Sequence, residues 1–173
     1  MAVEIERKFL LCSERWREKA SPGVFYRQGY VCTEKEYAVR VRIAGNRGYL
    51  SVKGAVSETT RREYEYEIPR PDAEEMLSFF CRRRPLEKIR RTVDYEGKTW
   101  EIDEFLGENA GLVIAEIELQ EEGEPFDMPD WAGPEITKDE RYLSVNLYLR
   151  PFTSWGKNQA EGVKEKQFLT AES

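Results

Sequence analysis

The chain has 173 residues, with 27 basic and 33 acidic side chains and a formal net charge of −6. That length fits one domain, and 12% aromatic residues argue against global disorder. No apolar run reaches the roughly 18 residues of a membrane helix, and the absence of histidine excludes imidazole bases and Ser-His or Cys-His nucleophile pairs.

In chain order, the opening VEIERKFL alternates charged and apolar residues and predicts a strand over 3–10. Its charges interrupt the apolar run of a signal peptide, so a cytoplasmic protein is expected. A short helix is predicted over 13–20, after Ser13. Alternation returns over 25–32, 36–44, 48–54 and 61–68, with Gly45-Asn46 and Gly48 as turn residues before the fourth strand. Pro71, Asp72, Glu74 and Glu75 open a helix over 72–83, and Arg82 to Arg84 close it, a charge order that complements the helix dipole. Strands over 87–95 and 98–106 are joined by a Glu96-Gly97 hairpin, and Gly107 to Gly111 precedes an eighth strand over 112–120. Residues 123–136, rich in Pro, Gly and acid, read as a loop. Thr137, with Glu140 as capping-box partner, starts a helix that runs to Leu149 and stops before Pro151. The polar end of the chain reads as a mobile tail, giving a domain over 1–155 and a tail over 156–173. Cys12, Cys32 and Cys81 are odd in number and form no CxxC, so they read as core thiols without a zinc site or disulfide framework. The fold class is α+β, mostly β: antiparallel strands in a meander or closed barrel with a few flanking helices.

Residues two apart share one face of a strand. Glu4, Glu6 and Lys8 lie opposite Val3 and Ile5. Arg40 and Arg42 oppose Val39, Val41 and Ile43, and Ser51 and Lys53 oppose Leu50 and Val52. Glu63, Glu65 and Glu67 oppose Tyr64, Tyr66 and Ile68; Lys88 and Arg90 oppose Ile89 and Val93. Glu101 and Asp103 oppose Trp100 and Ile102, and Glu116 and Glu118 oppose Ile117 and Leu119. For any one strand, a sheet with one solvated face is the ordinary reading. The set is different, because several strands present acids alone and others bases alone, whereas solubilising charge is usually mixed. A closed sheet with this face inside gathers carboxylates opposite cations. Eight strands enclose room for side chains and one small ligand. Arg and Lys suit phosphate oxygens, and paired carboxylates suit Mg²⁺ or Mn²⁺. A chain-like polyphosphate carrying its own divalent cation matches both sets.

The ExExK form of Glu4, Glu6 and Lys8, followed in order by RQGY, VRVR, SVKG, EYEYEI, EKIR, EIDEF, AEIEL and DERY, resembles the CYTH superfamily of triphosphate tunnel metalloenzymes over residues 2–155. It is most similar to short bacterial members that act on inorganic tripolyphosphate. The resemblance implies an eight-stranded antiparallel tunnel with a charged lumen and metal-dependent hydrolysis of tripolyphosphate to pyrophosphate and orthophosphate. By position, Glu4, Glu6, Glu63, Glu65, Asp103, Glu116 and Glu118 resemble the metal-site carboxylates. Arg40, Arg42, Lys53, Lys88 and Arg90 resemble the triphosphate clamp, which Arg141 of DERY joins from the last helix. Lys8 resembles the residue that activates the attacking water, as general base or phosphate contact, and Tyr30 of RQGY faces the lumen. Ser144 stands where relatives often carry Asn, a departure confined to the last helix. Glu67 and Glu101 rank lower, near strand ends. The implied cofactor is Mg²⁺ or Mn²⁺, and the partner is a small-molecule triphosphate, with no nucleic acid or membrane and a monomer or homodimer as the working form. Alternatives are a thiamine or nucleoside triphosphatase (with Trp100 or Trp131 as an aromatic rest for thiamine), a class IV adenylate cyclase, or a non-catalytic sensor.

Overall fold

The computed structural model describes residues 3–57, 59–156, 159–160 and 162–163. Among the described residues nine strands are present: β1 (Val3–Leu11), β2 (Val24–Thr33), β3 (Tyr37–Ala44), β4 (Arg47–Ala55), β5 (Thr60–Ile68), β6 (Leu86–Tyr95), β7 (Lys98–Phe105), β8 (Val113–Leu119) and β9 (Ala132–Glu135). The described α-helices include α1 (Arg70–Phe79) and α2 (Ser144–Leu149). The strands follow the order β5-β4-β3-β2-β6-β7-β8-β1, and pairing of β5 with β1 closes them into an antiparallel eight-stranded barrel. The expected closed barrel is therefore present. The tight β6–β7 hairpin turns at Glu96 and Gly97, with φ of 45° and 75°, the left-handed pair that a two-residue hairpin needs.

The barrel carries its apolar side outward. Ile5, Phe9, Trp100, Ile102, Ala115 and Ile117 lie on the outside of β1, β7 and β8, under Trp16 and Trp131. Trp100 is fully buried, with ring centroids 5.5 Å from Phe9 and 5.4 Å from Trp131. On the opposite wall α1 lays Ala73 and Leu77 over Val41 and Ile43. Gly48 permits that approach, since a Cβ there would lie 2.9 Å from the Cβ of Ala73. One end of the interior is apolar as well. Leu10, Tyr30, Leu86, Phe105 and Ile114 share the inward face of their strands and form a floor against Leu147 and Tyr148 of α2 and against Phe152.

Four local expectations are corrected. Residues 15–19 form a 3-10 turn rather than an α-helix. The loop expected over 123–136 ends in β9, which pairs with β1; its AGPE sequence has no strand signature, and the free edge of β1 recruits it. α1 starts at Arg70 and ends at Phe79, so Arg82 to Arg84 lie beyond it and no basic residue occupies its last turn. The helix expected over 137–149 is split into a 3-10 turn at Glu140–Tyr142 and α2, and the first turn is capped by Asp139 instead of Thr137, because Thr137 is engaged elsewhere. Most of the expected tail over 156–173 lies outside the described residues; of those described, Ala160 and Val163 pack against the floor cluster.

Truncating Trp100 to Ala should cost about 3–5 kcal/mol, the usual range for a buried aromatic. Urea unfolding followed by far-UV circular dichroism measures it, and a midpoint equal to wild type would contradict the outward-facing core.

Candidate active site

Side-chain alternation aims the charged residues of seven strands into one lumen, where strand pairing decides which charges meet. Lys53 lies opposite Glu63, Arg90 opposite Asp103 and Lys8 opposite Glu116. Lys8 Nζ donates to Glu116 Oε1 at 2.5 Å and lies 3.0 Å from Glu6 Oε1. Lys88 Nζ donates to Asp103 Oδ2 at 2.5 Å. Arg90 forks onto the same carboxylate at 2.7 and 2.6 Å, reaches Glu116 at 2.8 Å and also bonds Glu101. Arg40 spans Glu63 at 3.0 Å, Glu65 at 3.1 Å and the Ser51 hydroxyl at 3.1 Å. Arg42 holds Glu65 at 2.6 Å, and Lys53 joins Glu4 at 2.7 Å to Glu63 at 3.4 Å.

Burial and charge set the protonation of this network. Burial disfavours the Lys8 ammonium, but Glu116 and Glu6 outweigh it and raise its pKa above the ordinary lysine value. Burial and the Arg90 charge lower Lys88 from 10.5 to about 8, since Lys88 must share Asp103 with a bidentate guanidinium. Burial alone would raise Glu116, yet Lys8 and Arg90 hold it well below the carboxylate range. Glu118, more exposed, is raised by partial burial and by the crowding of Glu4, Glu101, Glu6 and Glu63. This oxygen-only, mutually repelling group has the chemistry that a hard divalent cation relieves. Among the described residues no three carboxylates already converge as a metal-binding group, because most are drawn onto a cation instead.

Thus twelve of the fourteen residues singled out from the sequence join two ion-pair networks in one lumen: Lys8, Glu6, Glu116, Arg90, Asp103 and Lys88 form the first, and Arg40, Arg42, Lys53, Glu4, Glu63 and Glu65 form the second. Glu118 is the thirteenth, placed near the acids of both networks without an ion pair among the described residues. Arg141 stands apart: it is bidentate to Asp139, lies over Trp155 and lines a separate cavity of about 880 Å³. Tyr30 does face inward, but as part of the floor, 5.2 Å from the ring of Tyr148. Trp100 and Trp131 are buried in the outer core. Other side chains of the inward faces were not singled out from the sequence, among them Tyr26, Tyr49, the fully buried Gln28 opposite Arg42, and Arg61 opposite Glu4. The Tyr26 ring lies 5.3 Å from Arg42, 5.7 Å from Lys88 and 5.5 Å from Arg90, and Tyr49 stacks on Arg42 from 5.1 Å. Tyr49 shares the inward face of β4 with Ser51 and Lys53, whereas the inward face of β2 carries Tyr26, Gln28 and Tyr30 and no charge that would mark it as lumen.

Comparison with known proteins agrees with this geometry. The CYTH domain family model matches residues 2–149. An inorganic triphosphatase of Acetivibrio thermocellus is 49% identical over 155 residues, covering 90% of this chain and 99% of that protein. An inorganic triphosphatase of Nitrosomonas europaea is 33% identical over 151 residues, covering 85% and 97%. A crystal structure of an inorganic triphosphatase shares the fold with a TM-score of 0.61 at 30% identity, over 86% of this chain and 96% of that one.

Replacing Tyr26 with Leu should raise KM for the triphosphate roughly two- to twentyfold, the range of a lost partly buried cation–π contact; steady-state kinetics checks this. Lys88 also gives a stability signature. The unfolded chain binds its proton up to about 10.5 and the folded chain only to about 8, so stability should rise with pH between those values. Lys88→Met should flatten that rise when unfolding is measured in EDTA.

Proposed function

Because the chain belongs to the CYTH domain family, we propose that it is a divalent-metal-dependent inorganic triphosphatase, which hydrolyses tripolyphosphate to pyrophosphate and orthophosphate. The observation that carries this reading is the convergence of Arg40, Arg42, Lys53, Lys88 and Arg90 on carboxylates within one barrel. Those five cations match the charge of a phosphate chain, and the guanidinium forks match its oxygens. Glu4, Glu6, Glu63, Glu65, Asp103, Glu116 and Glu118 would hold Mg²⁺ or Mn²⁺. Such an ion supplies Lewis-acid charge neutralisation and a more acidic bound water.

Water oxygen attacks the terminal phosphorus, the bridging P–O bond breaks, and pyrophosphate leaves opposite the attack. Positioning and charge stabilisation supply most of the rate in such a transfer. The clamp orients the chain in line and stabilises the charge that spreads over its oxygens. Lys8, held protonated by Glu116 and Glu6, serves as a cationic contact to the reacting phosphoryl group more readily than as a base. Trp100 and Trp131 are enclosed in the outer core, which leaves a thiamine rest without support from them. Among the described residues no helix is long and apolar enough to cross a membrane. We place the protein in the cytoplasm, acting on a small-molecule substrate as a monomer or homodimer.

The decisive experiment compares phosphate release from tripolyphosphate, ATP and thiamine triphosphate with Mg²⁺, Mn²⁺ or EDTA. Tripolyphosphate should be preferred and EDTA should abolish release; cyclic AMP from ATP without phosphate release would overturn the proposal. Lys8→Met should lower kcat by at least about a hundredfold, the scale of losing one preorganised charge contact to the transition state.

A further inference from the structure

One edge of β1 changes partner. Its start, Val3–Ile5, pairs with β5, and Phe9 and Leu11 pair with β9. The gap between them falls at Glu6 and Lys8, whose other edge faces Glu118 and Glu116. Within the gap three separate bonds stand in for a ladder. Glu6 N–H donates to Thr59 O at 3.2 Å, Ile136 N–H donates to Lys8 O at 2.8 Å, and Lys8 N–H donates to the Thr137 hydroxyl at 3.0 Å. A side chain thus takes the place of a neighbouring strand's carbonyl at the residue nearest the chemistry.

That hydroxyl is oriented from behind. Thr137 is 8% exposed and donates its own hydrogen to Glu135 Oε1 at 2.6 Å, which leaves its lone pairs for Lys8. Glu135 is in turn gripped by Arg7 at 2.8 and 2.5 Å. Arg7 is the neighbour of Lys8 and points out of the barrel where Lys8 points in. The relay from Arg7 through Glu135 and Thr137 therefore returns to the backbone one residue from where it began, and ties β1 to the segment after β9.

We propose that Thr137 is a positioning residue for Lys8: its hydroxyl sets the height of β1 in the gap and so holds the Lys8 ammonium in the lumen. The proposal rests on the triphosphatase reading only in its kinetic arm. Without the hydroxyl the Lys8 N–H loses its acceptor, and the cavity that Thr137 lines would put mobile solvent there instead of a fixed oxygen. A displacement of about 1 Å at a reacting group can cost up to roughly a hundredfold in rate.

Thr137→Val keeps the shape and removes the hydroxyl. Amide exchange of Lys8, read by NMR, should accelerate at least about tenfold, and kcat on tripolyphosphate should fall roughly tenfold with KM within about twofold. Thr137→Ser should restore both. Wild-type exchange at Lys8 in the Val variant, or a higher KM with kcat unchanged, overturns the proposal. Should the Val variant fail to fold, Glu135→Gln, which weakens only the support behind Thr137, should still speed exchange at Lys8; unchanged exchange refutes the relay. If the wild type releases no phosphate from tripolyphosphate, the functional reading falls, while the exchange measurement still decides the role of Thr137.

Discussion

The pairing of buried cations with buried carboxylates inside a closed sheet governs the rest of this molecule. Taking one charge out of water costs several kcal/mol unless a partner and hydrogen bonds compensate. Asp103 is fully buried and tolerable there because Lys88 and Arg90 both bond it. Sorting charge by strand achieves this. Acids two apart on β5 repel each other, but Lys53 and Ser51 of β4 stand opposite them in register, and Arg40 reaches over from β3. Buried pairs of this kind are close to neutral for stability, so the fold depends on apolar contacts elsewhere.

Those contacts lie where an ion-filled interior leaves room for them. The outer walls bury Trp16, Trp100 and Trp131 on one side and the face of α1 on the other. The interior itself turns apolar only at the floor, where α2 closes the end of the barrel. The layout is a conventional barrel inverted over most of its height, with water-excluding layers outside and beneath a polar chamber.

The network also explains why such a chamber suits a phosphate chain with a divalent cation. Under the proposed function, phosphate oxygens would take the place of carboxylates on the cations, and the released carboxylates would hold the metal. Lys8 and Lys88 differ for the same reason. Lys8 has Glu116 and Glu6 as close partners and stays charged, whereas Lys88 competes with Arg90 for Asp103 and gives up its proton near pH 8.

The strands, their inward faces and most of the charged site were legible in the residues alone, because a period of two is local and assigns a face without knowledge of any partner. Glu4, Glu6, Lys8, Arg40 and Arg42 were placed correctly on that basis. Tyr26 and Tyr49 share those faces but carry no charge to single them out. Alternation and charge sorting put the ionic residues of each strand on one face, and closure of β5 onto β1 turned that face inward. Three-dimensional packing settled which cation meets which carboxylate, that Arg141 stays with Asp139, that AGPE becomes a strand, and that Thr137 serves Lys8 instead of capping a helix. Apart from the local pair of Arg141 and Asp139, two residues apart, each of these depends on groups far apart in the chain, 129 residues in the case of Lys8 and Thr137, and no local pattern encodes the register at which a barrel closes.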